Sequence, residues 1–302
     1  MSAGDVRRGT LYLVATPLGN VNDMSPRAKE ILDRVDYIAA EDTRRAARLL
    51  SSLGVGNRLI SYFEHNKNAR HDMLICDLME GKSIAVISDA GMPCISDPGE
   101  ALVRLAIANA ITVSVIPGPS ALVSAIAASG FDTRRFVFEG FLPVKGKARK
   151  LRLQAFAAEQ RTLVFYEAPH RIRRTLTDLE AGGMGARRLV MARELTKPYE
   201  ELLYFTVAEA NAYYEAVNPR GEFTIALEGL DEYRARTGEK AETSYTDEML
   251  RKRLDEKRSA GLSPSLASSA LAKETGVDRD KLYQLVLGMR DERTEAEEKN
   301  RQ

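Results

Sequence analysis

Apolar residues along the chain fall into short, nearly continuous runs, and segments with helical periodicity separate them. TLYLVA, from Thr10, is followed by SPRAKEILDRVD, where Ser25 is placed to cap a helix and Pro26 to occupy its first position. YIAA is followed by TRRAARLLSSLG, RLISYF by a helix over about residues 67–80, and SIAVIS by a helix over about residues 98–109, before ITVSVIP. Five β-rich runs alternating with helices predict a largely parallel sheet covered on both faces, because a strand buried on both sides loses its polar alternation.

A second set comes after GPSALVSAIAASG, a helix of small residues suited to close packing. It comprises RRFVFEGF, a basic helix near residues 146–159, TLVFYE, a helix after Pro169, then RRLVMARE, ELLYFT and EFTIALEG. The later strands crowd together, which predicts a mixed sheet. The fold class is α/β, with an N-terminal α/β domain over 1–120 and a second over 121–229. Residues 230–302 read as a polar linker over 230–246, a small helical, helix-turn-helix-like domain with Gly276 at a turn, and a charged tail expected to be disordered beyond Arg290.

In an open parallel sheet, ligands bind beyond the carboxyl ends of the strands. The segments there are TPLGN (16–20), EDTRR (41–45), EHN (64–66), SDAGMPCISDPG (88–99) and PGPSA (117–121), all rich in polar residues, glycine or proline. A phosphate cradle needs successive free N–H groups, but Pro17, Pro93, Pro98, Pro117 and Pro119 each remove one, and no G-x-G-x-x-G or Walker pattern occurs there. Loops offering carbonyls and carboxylates suit a ligand with adenine and ribose donors and a positive centre, such as a sulfonium. Asp97, just before Pro98, is expected to cap the next helix, and Asp89 to face the ligand.

Charge changes this picture little: among 302 residues, 44 Lys and Arg meet 43 Asp and Glu, so a nucleic-acid surface must be a local patch. The clearest is Arg134 and Arg135 followed by Lys145, Lys147, Arg149, Lys150 and Arg152, with Phe138 and Phe141 interleaved. Cys76 and Cys94 form neither a disulfide framework nor a metal spacing, and no metal is expected. With no signal-peptide pattern and no membrane-length apolar run, a cytoplasmic protein without a membrane partner is expected.

LYLVATPLGN, AAEDTR, EHN, VISDAGMPCISDPG, VIPGPSAL, FVFEGFLP, VFYEAPHRI, ARELTKPYEE and GEFTIALEG, in this order, resemble the bacterial 16S ribosomal RNA cytidine 2'-O-methyltransferases of the tetrapyrrole methylase superfamily. The likeness covers roughly residues 9–229. It implies S-adenosylmethionine held in a cleft between the two α/β domains of a homodimer, and methylation of a cytidine ribose in the decoding region of 16S rRNA. Cofactor-binding candidates by this resemblance are Leu18, Asp89, Ala90, Gly91, Cys94, Ser120, Ala121, Glu167 and Glu194. TPLGN replaces a G-x-G-P-G-D-type loop, and the altered loop favours RNA over a tetrapyrrole.

A ribose hydroxyl is a poor nucleophile until its proton has an acceptor. His65, Glu167 and Asp42 are the catalytic candidates, with Glu64, Asp89, His170 and Glu194 also within the strand-end loops. His170 and Arg171, at a helix start, join the basic stretch as RNA-contact candidates, and Arg193 and Lys197 are placed to hold the cofactor carboxylate or a nucleotide. Two other readings stay open: methylation of a tetrapyrrole or other small molecule, and a non-catalytic RNA-binding sensor of the cofactor.

Overall fold

The first five apolar runs become β1 (Thr10–Val14), β2 (Tyr37–Ala40), β3 (Leu59–Ser61), β4 (Ile84–Ile87) and β5 (Thr112–Ile116) in the computed structural model, which describes residues 6–63, 67–239, 246–275 and 277–288. They form one all-parallel sheet in the order β3-β2-β4-β1-β5. The two-residue period divides their side chains between two core layers. Tyr12, Val14, Ile38 and Ala85 pack with α1 (Pro26–Arg34) and α2 (Thr43–Leu53). Leu11, Leu13, Ile84 and Val86 pack on the other side, with Leu74 and Leu78 of α3 (Lys67–Met79) and Leu102 of α4 (Glu100–Ala108). As the pattern predicts, Ser25 caps α1, its hydroxyl accepting from the Ala28 N–H at 3.1 Å.

The second lobe begins with α5 (Ala121–Ala128), β6 (Phe136–Phe141), α6 (Gly146–Ala158), β7 (Thr162–Glu167) and α7 (Ile172–Leu179). It continues with β8 (Arg188–Arg193), β9 (Glu201–Thr206), α8 (Val207–Ala216) and β10 (Phe223–Leu227). The sheet order is β6-β7-β10-β8-β9, with β6 parallel to β7 and the other pairs antiparallel. Phe165, Met191 and Ile225 point into a core completed by Phe156, Leu176 and Val207 from α6, α7 and α8. On the opposite face, Ile126 of α5 packs on Val164, Val190 and Ala226, the close approach that a helix of small residues permits.

The expected linker starts later than its polarity suggests. Leu230–Thr237 is a helix, α9, and the chain divides into units Met1–Thr237 and Gly238–Gln302. Arg236 of α9 is held by the fully buried Glu228, which accepts from Arg236 Nε at 2.9 Å and from Arg188 Nε at 2.8 Å. Ion pairs give no hydrophobic period, so the segment reads as a linker.

The second unit packs α10 (Asp247–Ser259), α11 (Pro264–Thr275) and helical residues 279–288 around Leu254, Leu271, Leu282 and Val286. The turn at Gly276 and the tail beyond Arg290 lie outside the described residues. Among the described residues, no helix is long and apolar enough to cross a membrane.

Candidate active site

A cleft of about 380 Å³ lies between the strand ends of the first sheet and the second lobe. Leu18, Glu41, Asp89 and Ser120 enter from the segments after β1, β2, β4 and β5, while Phe141, Tyr166, Glu167 and Glu222 enter from the second lobe. Two strand-end loops are stitched together at its floor: Thr16 N–H donates to Gly91 O at 2.9 Å and Gly91 N–H to Thr16 O at 3.0 Å. Gly91 has φ +81°, and a Cβ there would stand 3.3 Å from Leu18 Cδ2, so glycine serves both the turn and the width of the cleft.

The ionisable side chains lining the cleft are carboxylates and the Tyr166 phenol; among the described residues, no Lys, Arg or His lines it. Three of the carboxylates have cation partners. Asp89 pairs with Arg45 at 3.0 Å, Glu222 with Lys197 at 3.1 Å, and Glu167 with Arg171 at 3.0 Å. Glu41 and Asp97 have no ion pair among the described residues. Burial, then the charge of Glu41, then that of Asp89 push the Asp97 carboxyl up to about 7, against a hydrogen bond with Ser88. Burial followed by the Asp89 charge raises Glu41 as well. The cleft is electrostatically incomplete in a way that a cation relieves.

At one end the two lobes touch. Asn20 N–H donates to Thr196 Oγ1 at 3.1 Å, and the Lys197 chain lies over Gly19, where a Cβ would fall 2.2 Å from Lys197 Cγ. Lys197 is itself fixed by Glu194 at 2.8 Å and by Glu222. Five described non-glycine residues have positive φ, and four of them, Cys94, Ser96, Glu194 and Thr196, lie in the two loops that border this cleft. Backbone held in that region is costly and gathers where loops must present groups in a fixed geometry.

Of the cofactor candidates, Leu18, Asp89, Ala90, Gly91, Ser120, Ala121 and Glu167 all line this cleft. Cys94 does not: its Sγ lies against Gly99, it packs on the first lobe's core, and burial pushes its thiol up to about 11. Glu194 also stands off the cleft, accepting from Lys197 and from the Glu222 N–H at 2.9 Å, and so braces the rim.

The catalytic candidates change roles. The Glu167 side chain is fully buried, accepts from Thr175 Oγ1 at 2.6 Å and pairs with Arg171, so it holds the end of β7 in place. Asp42 caps α2, accepting from Arg44 N–H at 2.8 Å, and its hydrogen bonds with Arg44 keep its carboxyl below the usual range. Both carboxylates are engaged by structural partners. His65 and Glu64 lie outside the described residues.

Arg149 leaves the basic surface. It is 3% exposed and bonds Asp178 at 2.8 Å, Thr175 at 3.0 Å and the Pro143 carbonyl at 3.1 Å. Arg171 is likewise committed, to Glu167 and to the Leu142 carbonyl. Lys145, Lys147, Lys150, Arg135 and His170 are exposed, as is Arg134, which forms a two-pronged pair with Asp132. Arg193 pairs with Glu201 at 2.8 Å.

Glu41, Asp97 and Glu222 are cleft residues that the sequence pattern leaves out or assigns elsewhere. Asp97 does not cap α4, whose first residue is Glu100 and whose N-cap position is Gly99, with no side-chain bond. Glu222 precedes β10, which runs antiparallel to β7 and β8, so the start of β10 meets the ends of its neighbours: Phe223 pairs with both Glu167 and Arg193. A rule that inspects only the segment after each strand passes over it.

A family model described as Tetrapyrrole (Corrin/Porphyrin) Methylases matches residues 10–211. The chain is 46% identical over 279 residues to ribosomal RNA small subunit methyltransferase I of Synechocystis sp., covering 92% of this chain and 98% of that one. It is 42% identical over 284 residues to the protein of the same name from Pseudomonas aeruginosa, covering 92% and 97%. Among solved structures, diphthine synthase superposes with a TM-score of 0.59 at 14% identity, covering 74% of this chain and 93% of that one. Uroporphyrin-III C-methyltransferase from Thermus thermophilus, solved with S-adenosyl homocysteine, gives 0.54 at 16% identity, covering 72% and 96%. At such identities these two carry the fold alone. The chain is a methyltransferase that belongs to the tetrapyrrole methylase family and, within it, to the ribosomal RNA small subunit methyltransferase I proteins.

Proposed function

We propose that the protein uses S-adenosylmethionine to methylate the ribose 2'-oxygen of a cytidine in the decoding region of 16S rRNA, acting in the cytoplasm as a homodimer. The observation that carries the cofactor reading is the cleft's charge: five carboxylates, no basic side chain among its described lining, and two acids without cation partners suit a ligand with a sulfonium and an ammonium group. A dinucleotide or nucleoside triphosphate would meet repulsion there. Leu18, Met92 and Ala121 would give the adenine and thioether portions apolar surface, and Glu41 and Asp97, the two lining acids without a cation partner among the described residues, would hold the positive groups. When bound, S-adenosylmethionine supplies an electrophilic methyl group on sulfur.

This chain's residues then have to exclude water, align the acceptor and take up its proton. The contact of Gly19 and Asn20 with Thr196 and Lys197 narrows one end of the cleft and would help to exclude water and align the acceptor. The acceptor reading rests on the relatives' names and the matched sequence blocks. Exposed Val115 on the edge strand β5, Val123 on α5 and Tyr204 on the edge strand β9 support the dimer.

The test is transfer of labelled methyl from S-adenosylmethionine to small ribosomal subunits lacking the modification, followed by nuclease mapping. Label on a cytidine 2'-oxygen of the decoding region is expected. Absence of label on subunits and naked RNA, with label on a porphyrinogen, would overturn the acceptor.

A further inference from the structure

We propose that the outward face of α2, carrying Arg44, Arg45 and Arg48, is a phosphate-binding rim for the RNA strand whose ribose enters the cleft. The inference rests on RNA being the acceptor and adds a surface on the first lobe to the basic stretch of the second. α2 spans Thr43–Leu53 and contains three arginines and no acidic residue, in a chain whose charges otherwise balance. Ala46 and Leu50 are its buried residues. At about 100° per residue, Arg48 falls between Arg44 and Arg45 on the side away from Ala46 and Leu50, so the three guanidinium groups share one stripe. The side chains of Arg44 and Arg45 are 87% and 60% exposed. Arg48 has no carboxylate partner among the described residues, only the Arg44 carbonyl at 3.4 Å.

The stripe begins at the cleft. Glu41 lines it, Asp42 caps the helix and donates its own N–H to Asp89 Oδ1 at 3.2 Å, and Arg45 pairs with Asp89. Across the cleft, β6 ends at Phe141, a cleft residue, and leads into α6, which also contains no acid and exposes Lys147 and Lys150. An acidic cleft between two acid-free basic helices sorts its ligands by charge. The polyanionic strand is held at the rims, and a cationic cofactor is held within.

The test compares the full-length wild type with Arg44→Ala/Arg48→Ala and with Arg48→Lys, measuring binding to unmodified small subunits and to naked 16S RNA across a salt series. Arg45 is left in place because it touches a cleft carboxylate. Losing two phosphate contacts is expected to weaken RNA binding about tenfold near 0.1 M salt and to reduce the slope of log K against log salt by about 1.4, about 0.7 per contact. Arg48→Lys keeps the slope, and affinity for S-adenosyl homocysteine stays unchanged in both variants. Wild-type RNA affinity and slope in the double variant, with Lys147→Ala/Lys150→Ala weakening both, would overturn the α2 rim and leave the RNA reading standing. No salt-dependent RNA binding by the wild type would overturn the acceptor reading, and the rim with it.

Discussion

Lowering the pH from about 8 to about 6 should weaken S-adenosylmethionine binding by about tenfold, and Asp97→Asn should remove that dependence. Asp97 faces Glu41 from the neighbouring loop, Ser88 and Asp89 from its own loop and Tyr166 from the second lobe, and none of these supplies a positive charge. With its carboxyl at about 7, the unliganded protein is largely protonated there at the acid end and ionised at the alkaline end. In the free protein that ionisation costs folded-state stability as pH climbs from the ordinary carboxylate range to about 7, since the folded chain holds the proton more tightly than the unfolded chain. A cation prefers the ionised form, so its affinity rises with pH over the same window.

If only the ionised form binds, the apparent Kd scales as one plus the ratio of protonated to ionised Asp97. That ratio is about ten at pH 6 and about a tenth at pH 8, a difference of about 1.4 kcal/mol. Calorimetric titrations of both proteins across this range, read as a ratio at each pH, cancel the ligand's own titration. The Asn variant, fixed in the uncharged form, should bind more weakly than the wild type at every pH and with no dependence left from this group. The same pH dependence in both proteins would show that Asp97 does not sense the bound cation.

Arg149→Ala removes a buried guanidinium that bonds Asp178, Thr175 and the Pro143 carbonyl and should cost about 3 kcal/mol in urea unfolding, whereas Lys147→Ala, exposed on the same helix, should stay within about 0.5 kcal/mol. Gly19→Ala puts a methyl group where Lys197 Cγ lies, so it should lower cofactor affinity several-fold in calorimetry while leaving the unfolding midpoint almost unchanged. Glu228→Gln should cost about 3 kcal/mol and flatten the acid limb of a stability–pH curve. Burial alone would raise the Glu228 carboxyl, but its hydrogen bonds to Arg236 and Arg188 outweigh burial and lower it. Its stabilisation is therefore present above the ordinary carboxylate pKa and fades as pH falls through the lower folded value.

Most of the architecture is legible in the chain because parallel strands buried on both faces are unbroken apolar runs, and helices such as α1 announce themselves by cap and proline. The first-lobe half of the cleft is legible for a related reason: all five strands of that sheet point the same way, so the segments after them gather at one edge. The second lobe hides Glu222 because its sheet is mixed. Asp97 misleads because D-P-G-E satisfies a capping pattern locally, while the chain turns once more at Gly99 before the helix begins. Arg149 misleads because a run of basic residues has no phase of its own. Packing against Thr175 and Asp178 decides which of them turns inward, and that packing joins residues 26 and 29 positions apart.

The order of the first sheet also sets a timetable. β1 lies between β4 and β5, with Leu11 opposite Ile84 and Val113. On a ribosome adding about 5–20 residues per second, several seconds pass between the emergence of this strand and that of its first partner. Throughout that interval Thr10–Val14, wholly buried in the finished protein, has no neighbour in the sheet. Its apolar side chains must be sheltered by the collapsing chain or by a chaperone, so slowing translation, which lengthens this interval, should lower the soluble yield of this protein more than that of one whose first strand forms a hairpin.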